Sequence, residues 1–117
     1  MSDEIISILS SLGFDTTQGI NLTGGEHEFY LDLVTDFCTE FLDNLAQLRD
    51  STDISALLVQ VHSLKAVLQT LGETRVAAKA EQLEATMRDG HLNMKQLGDL
   101  CQELQGFAEA LKEARFK

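Results

Sequence analysis

Apolar residues recur along most of this chain at the three- and four-residue spacing that is typical of amphipathic helices. The pattern predicts five helical segments. They cover residues 3–12, 26–49, 53–72, 73–88, and 93 to near the C-terminus. Residues 14–25, between the first two segments, are predicted to form a loop because Gly19 and the Gly24-Gly25 pair interrupt the pattern.

The third segment carries residues that usually begin and end a helix, with Asp53 as the predicted N-cap and Gly72 as the stop. The links between the long segments are short, so consecutive helices should lie antiparallel. A single domain over residues 1–117 is therefore expected to be all-α. Its predicted architecture is an antiparallel up-down-up-down four-helix bundle over residues 26–115, with a short additional N-terminal helix within residues 1–13.

The second predicted helix has no internal breaker, and one apolar stripe runs along it. The stripe consists of Tyr30, Leu33, Val34, Phe37, Phe41, Leu45 and Leu48. The first turn of the segment is acidic and its end carries Arg49, the charge distribution that a helix dipole favours. We therefore expect one continuous helix from Glu26 to Arg49.

Composition narrows the classes of function. The chain has 117 residues, 44% of them hydrophobic, which suffices for one core without disulfides or metals. Its formal net charge is −10, and no Lys or Arg occurs before Arg49. This balance argues against binding to nucleic acid or to an anionic membrane surface, because both need clustered cations.

Several features indicate a reducing, cytoplasmic location. Cys38 and Cys101 lie within apolar helical stretches and are expected to be buried thiols. The N-terminus has no basic region followed by a continuous apolar run, so it does not resemble a signal peptide. No continuous apolar stretch approaches the length of a membrane span.

The third predicted helix has an unusual outward face. Its core stripe consists of Ile54, Leu57, Leu58, Val61, Leu64, Leu68 and Leu71. The outward positions are Ser55, Val59, His62, Ser63, Ala66, Gln69 and Thr70, and between Ile54 and Gly72 the only full charge is Lys65. Helical geometry places His62 outward or on the flank of the core stripe. A solvent-facing surface so poor in charge favours a docking surface for another protein.

The residues around His62 suit nucleophilic chemistry. A histidine offers a neutral ring nitrogen at physiological pH. Lys65, three residues later, projects from the same region of the helix and could stabilise a negative group on the imidazole. The other ring nitrogen needs an acceptor to fix its tautomer. Glu84, on the next helix, is a candidate if the two helices pack antiparallel about Gly72.

These residues together resemble the histidine-containing phosphotransfer (HPt) domain. The resemblance rests on the run His62-Ser63-Leu64-Lys65-Ala66, on Gly72 ten residues after the histidine, and on Leu83-Glu84 on the next helix. The resemblance extends from about residue 19 to residue 111. One departure is Ala66, which stands where the family pattern has Gly; Ala is still small and is a better helix former.

The resemblance implies a phosphocarrier of multistep two-component phosphorelays. His62 would accept a phosphoryl group from an aspartyl phosphate on a receiver domain and pass it to another, with Lys65 stabilising the phosphoryl group. The receivers would belong to a hybrid sensor kinase and to a response regulator, and would supply the magnesium ion; the chain itself is expected to need no cofactor or metal and to be a monomer without enzymatic activity of its own. The predicted docking residues are Val59, Ser63, Ala66, Gln69, Thr70 and Gly72.

Two alternatives stay open. The same face could dock a receiver domain without moving phosphate, as an interaction module or inhibitor, or the chain could be one domain of a larger sensor kinase. A di-iron bundle is disfavoured because no His has a Glu three residues before it. No Cys/His cluster predicts zinc, and no Walker-type loop is present. His27 and His91 are expected to be surface residues.

Overall fold

The computed structural model describes residues 2–115, so the predicted domain limits at residues 1 and 117 lie outside the described residues. Within that range the chain is all-α, as predicted, and has no strand. Its elements are α1 (Ser2–Ser11), α2 (Thr16–Leu22), α3 (His27–Phe37), a π-helical turn (Cys38–Leu42), α4 (Leu45–Arg49), α5 (Ile54–Leu71), α6 (Thr74–Arg88) and α7 (Met94–Arg115). The segment α3–α4 together with α5, α6 and α7 forms the antiparallel bundle, and α1 packs against α7 and α3.

Helix α5 packs against α2, α3 and α6. Its buried residues are Leu57, Val61, Leu64, Leu68 and Leu71, and it packs most extensively against α6. Its start follows the prediction, because the Asp53 side chain accepts hydrogen bonds from the N–H groups of Ser55 and Ala56 at 3.0 and 3.3 Å. Within the described residues, α5 alone is long and apolar enough by composition to cross a membrane.

The predicted continuous helix from Glu26 to Arg49 is wrong in its middle. The N–H of Asp43 donates to the carbonyl of Cys38 at 2.8 Å, a bond across five residues that makes a π-helical turn. The extra residue rotates the following side chains, so that Cys38 and Leu42 are buried while Phe41 is half-buried. No Pro or Gly marks this position, so the sequence held no local signal for it.

The predicted loop over residues 14–25 is also wrong, because it contains α2. Asp15 caps this helix by accepting from the N–H of Gln18 at 3.0 Å. Gly19 lies inside α2 and acts as a packing residue rather than a breaker. A Cβ at this position would clash with the carbonyl of Leu71 and the ring of Tyr30, so only glycine allows α2 to approach the end of α5.

The junction between α5 and α6 is fixed from several sides. Gly72 ends α5 in the left-handed conformation, with φ of 93°. The N–H of Asp15 donates to the Gly72 carbonyl at 3.0 Å, and the Tyr30 hydroxyl donates to the Leu71 carbonyl at 2.7 Å. Glu73 then caps α6 through its side chain. This rigid turn sets the register of α6 against α5 and thereby the residues that face His62.

Candidate functional site

His62 lies on the flank of α5 that borders α6. Its side chain is 57% exposed, in agreement with the outward orientation expected from its place beside the core stripe. Its Nδ1 atom lies 2.5 Å from Oε2 of Glu84 on α6. Among residues 2–115, no group lies within hydrogen-bonding distance of Nε2, on the other edge of the ring. One nitrogen is therefore engaged with α6, and the other is presented outward.

Glu84 is the centre of the site. Its side chain is only 5% exposed, and three basic side chains meet its two carboxylate oxygens. Lys65 Nζ donates to Oε1 at 2.7 Å, while Arg88 donates to Oε2 at 3.0 Å, the same oxygen that meets His62. These three contacts offset the cost of burying the carboxylate and hold it in a defined position.

These contacts determine the charge of Glu84. The hydrogen bond from Lys65 is the largest cause, and those from His62 and Arg88 add to it. Together they outweigh the effect of burial and lower the pKa of Glu84 to about 2. Glu84 is therefore ionised at neutral pH and can only accept hydrogen bonds. Nδ1 of His62 must then be the donor, which leaves the lone pair of the neutral ring on Nε2.

Lys65 binds Glu84 when no phosphoryl group is present. Its side chain is 18% exposed and its ammonium group binds Glu84, on the side of the carboxylate opposite to His62. Its charge lies close to the ring through this shared partner. Any direct contact of Lys65 with a group on His62 requires the ammonium to turn away from Glu84 or to use one of its remaining donors.

Arg88 was not identified from the sequence. It lies one turn after Glu84 on α6, and its side chain is 60% exposed. The spacing of Glu84 and Arg88 is that of an intrahelical ion pair, which is the signal that could have found it. Such ion pairs are common on helices. This one belongs to the site because His62 contacts the same oxygen of Glu84.

Five of the six predicted docking residues are exposed on α5, namely Val59, Ser63, Ala66, Gln69 and Thr70. Val59 is among the most exposed large apolar residues of the described chain, at 67%. Gly72 is not part of this surface. It is buried against the backbone of Asp15, where a Cβ would clash, so its small size serves the α5–α6 junction rather than a partner.

A groove of about 260 Å³ extends the exposed face of α5 towards α3. It is lined by Leu33, Asp36, Phe37, Glu40, Ala66, Val67, Thr70 and Leu71. The α5 wall was predicted, through Ala66 and Thr70, and the opposite wall was not. That opposite wall, formed by α3 and the π-helical turn, places two carboxylates, Asp36 and Glu40, beside an otherwise largely apolar floor.

The other reactive side chains lie apart from this site. His27 and His91 are exposed, and Cys38 and Cys101 are buried, as expected. Within residues 2–115, no group of His, Cys, Asp and Glu is arranged to hold a metal ion.

Comparison with known proteins adds one finding. The protein-family model described as Hpt domain matches residues 30–114, which is more than half of the chain and contains His62, Lys65 and Glu84. Neither a curated protein nor a solved structure was found to match.

Proposed function

This chain belongs to the Hpt domain family, and on that premise we propose that His62 is the residue that carries the phosphoryl group. Hpt domains are histidine phosphocarriers of phosphorelays and are not themselves catalysts. His62 accepts the group from an aspartyl phosphate on one receiver domain and gives it to an aspartate on another. The observation that carries the assignment is the contact between Nδ1 of His62 and the buried carboxylate of Glu84.

The transfer step uses the free ring nitrogen. The lone pair of Nε2 attacks phosphorus and forms the N–P bond, while the P–O bond to the partner's aspartate breaks and its electron pair stays on the aspartate oxygen. No proton has to leave the ring, because Nδ1 keeps its hydrogen bonded to Glu84. The positive charge that develops on the ring is stabilised by that carboxylate.

The surroundings of His62 support docking of a receiver domain. The exposed face of α5 carries small and uncharged side chains at Ser63 and Ala66, next to the histidine. Such residues allow a partner to approach closely, which in-line attack on phosphorus requires. The partner supplies the aspartate and the magnesium ion, and we expect the receivers of a hybrid sensor kinase and of a response regulator, in the cytoplasm.

The test is phosphoryl transfer from receiver domains phosphorylated with acetyl phosphate. We expect acid-labile, base-stable phosphate on the unaltered chain and none on the His62→Gln variant. That variant should fold normally, as judged by circular dichroism, because the side chain is 57% exposed. The matched controls are His27→Gln and His91→Gln, which change exposed histidines away from the site and should accept phosphate at the unaltered rate.

Two results would contradict the proposal. Transfer to His62→Gln would assign the phosphoryl group to another residue. Binding of a phosphorylated receiver to the unaltered chain with no transfer in either direction would favour the interaction module instead.

A further inference from the structure

The oxygen of Glu84 that meets the ring of His62 is shared with a second cation. Oε2 accepts from Nδ1 of His62 at 2.5 Å and from the guanidinium of Arg88 at 3.0 Å. The distance between Nδ1 of His62 and the Arg88 nitrogen therefore cannot exceed the sum of these two hydrogen-bond distances. Lys65 binds the other oxygen, Oε1. Arg88 and the imidazole thus draw on the same acceptor and the same negative charge.

This sharing has a consequence for the nucleophile. A carboxylate next to a histidine favours the imidazolium, which has no lone pair on Nε2 and cannot attack phosphorus. A cation on the same oxygen opposes that effect, because it offsets the carboxylate charge and repels a second positive charge on the ring. Glu84 orients the ring, and the cations around it limit how strongly it also attracts a proton.

We propose that Arg88 is a positioning residue that keeps the ring of His62 in its neutral, nucleophilic form while Glu84 holds it in place. The proposal rests on the proposed function of His62. Arg88 touches neither the phosphoryl group nor the partner's aspartate in this assignment, and acts from its position on Oε2 of Glu84.

No other charged group around His62, among the described residues, shares the oxygen that meets its ring. On its own helix, Lys65 is engaged with Oε1. On the side of α3, Asp36 and Glu40 line the groove beside Ala66 and Thr70, and near α2, Asp15 lies at the far end of α5, against Gly72. Because the acceptor is almost fully buried, a cation on it is screened less than an ordinary surface ion pair.

The experiment compares Arg88→Gln with Arg75→Gln in the full chain. Both arginines lie on α6, have similar exposure (60% and 56%) and pair with a glutamate, but the partner of Arg75 is Glu103 on α7, away from His62. Titration of the His62 ring nitrogens by NMR gives the midpoint and the tautomer. We expect Arg88→Gln to raise the midpoint by about half a pH unit. Arg75→Gln should leave it unchanged, and Arg88→Lys, which keeps a cation at this position, should keep the midpoint close to that of the unaltered chain.

The same variants then enter the transfer assay. A higher midpoint means less neutral imidazole below it, so Arg88→Gln should accept phosphate about threefold more slowly at pH values below the measured midpoint and at the unaltered rate well above it. The proposal is overturned if the His62 midpoint does not move, or if Arg75→Gln moves it equally. The NMR titration needs no phosphate. If Arg88→Gln shows the expected shift but the unaltered chain accepts no phosphate, the result counts against the proposed function of His62 and not against the role of Arg88.

Discussion

Two glutamates on the same helix segment show how differently one side chain can be used. Glu73 and Glu84 are three helical turns apart, at the N-cap and in the body of α6, and both are buried, with 0% and 4% of their surface exposed. Glu84 meets three basic side chains. Glu73 meets none within the described residues: its Oε1 accepts from the N–H groups of Arg75 and Val76, and its Oε2 has no hydrogen-bond partner.

The two pKa values move in opposite directions. Basic partners lower the pKa of Glu84 to about 2, whereas burial raises the pKa of Glu73 above its usual range despite the cap hydrogen bonds. Burial alone therefore does not decide the charge of a carboxylate; the neighbours that replace water do. The site at His62 depends on a carboxylate that stays charged, and the α5–α6 junction contains one whose charge is unfavourable.

The largest expected effect comes from removing the charged carboxylate. Glu84→Ala leaves the ammonium of Lys65, which is 18% exposed, without its partner, and frees the ring of His62 to rotate. We expect a loss of about 3 kcal/mol in the free energy of unfolding, measured with urea. The matched control is Glu103→Ala, which breaks more exposed pairs with Arg75 and Lys79 and should cost about 1 kcal/mol or less. Equal losses would show that Glu84 is an ordinary surface pair.

The next variant makes Glu84 more like Glu73. Lys65→Met removes the strongest of its donors, so the acid titration of the Glu84 carboxyl, followed by NMR, should move up from about 2. Phosphoryl transfer should slow by about tenfold or less, because one cation near the ring is lost while Nδ1 keeps its acceptor. A Glu84 titration that stays unchanged would mean that Arg88 and His62 are sufficient on their own.

The smallest effect is a gain in stability at the other glutamate. Because the pKa of Glu73 is raised on folding, its contribution is favourable at low pH and is lost as pH rises through that value. Glu73→Gln keeps the capping oxygen without the charge, so it should stabilise the fold by about 1 kcal/mol at pH 7 and by nothing near pH 4. Thermal unfolding at both pH values measures this.

Glu26→Gln is the control for that variant. Glu26 is the N-cap of α3, is exposed and makes no side-chain cap hydrogen bond, so its substitution should leave the free energy of unfolding at pH 7 nearly unchanged. The contribution of Glu84 to stability changes with pH in the opposite direction from that of Glu73. Its lowered pKa gives stability that is present above the usual range of a carboxyl and is lost as pH falls towards 2.

The sequence was a good guide where the signal was local. Asp53 and Gly72 mark the ends of α5 because caps and stops act within a few residues. Antiparallel packing about Gly72 was enough to bring Glu84 opposite His62. The sequence did not place Arg88 in the site. Its ion pair with Glu84, one turn earlier on α6, is an ordinary one, and it belongs to the site only because His62 on α5 contacts the same oxygen.

Predictions went wrong where distant contacts decide the structure. Gly19 reads as a breaker, but its small size is required by Leu71, which is 52 residues away in sequence. Gly72 reads as a docking residue, but it faces Asp15. The π-helical turn at Cys38–Leu42 follows from the packing of the bundle and has no compositional signature.

Helices α1 and α2 pack against the bundle but lie outside the stretch of the chain that matches the family. The family match begins at residue 30, yet Leu9, Phe14 and Ile20 belong to the core, and the rings of Phe14 and Phe107 lie 5.1 Å apart. A fragment cut at the family limit would expose the ends of α5 and α7 to water and lose the bond from Asp15 to Gly72. The residues that stabilise the fold therefore extend beyond the stretch that matches the family. The turn that aligns Glu84 with His62 depends on Asp15, which lies outside that stretch.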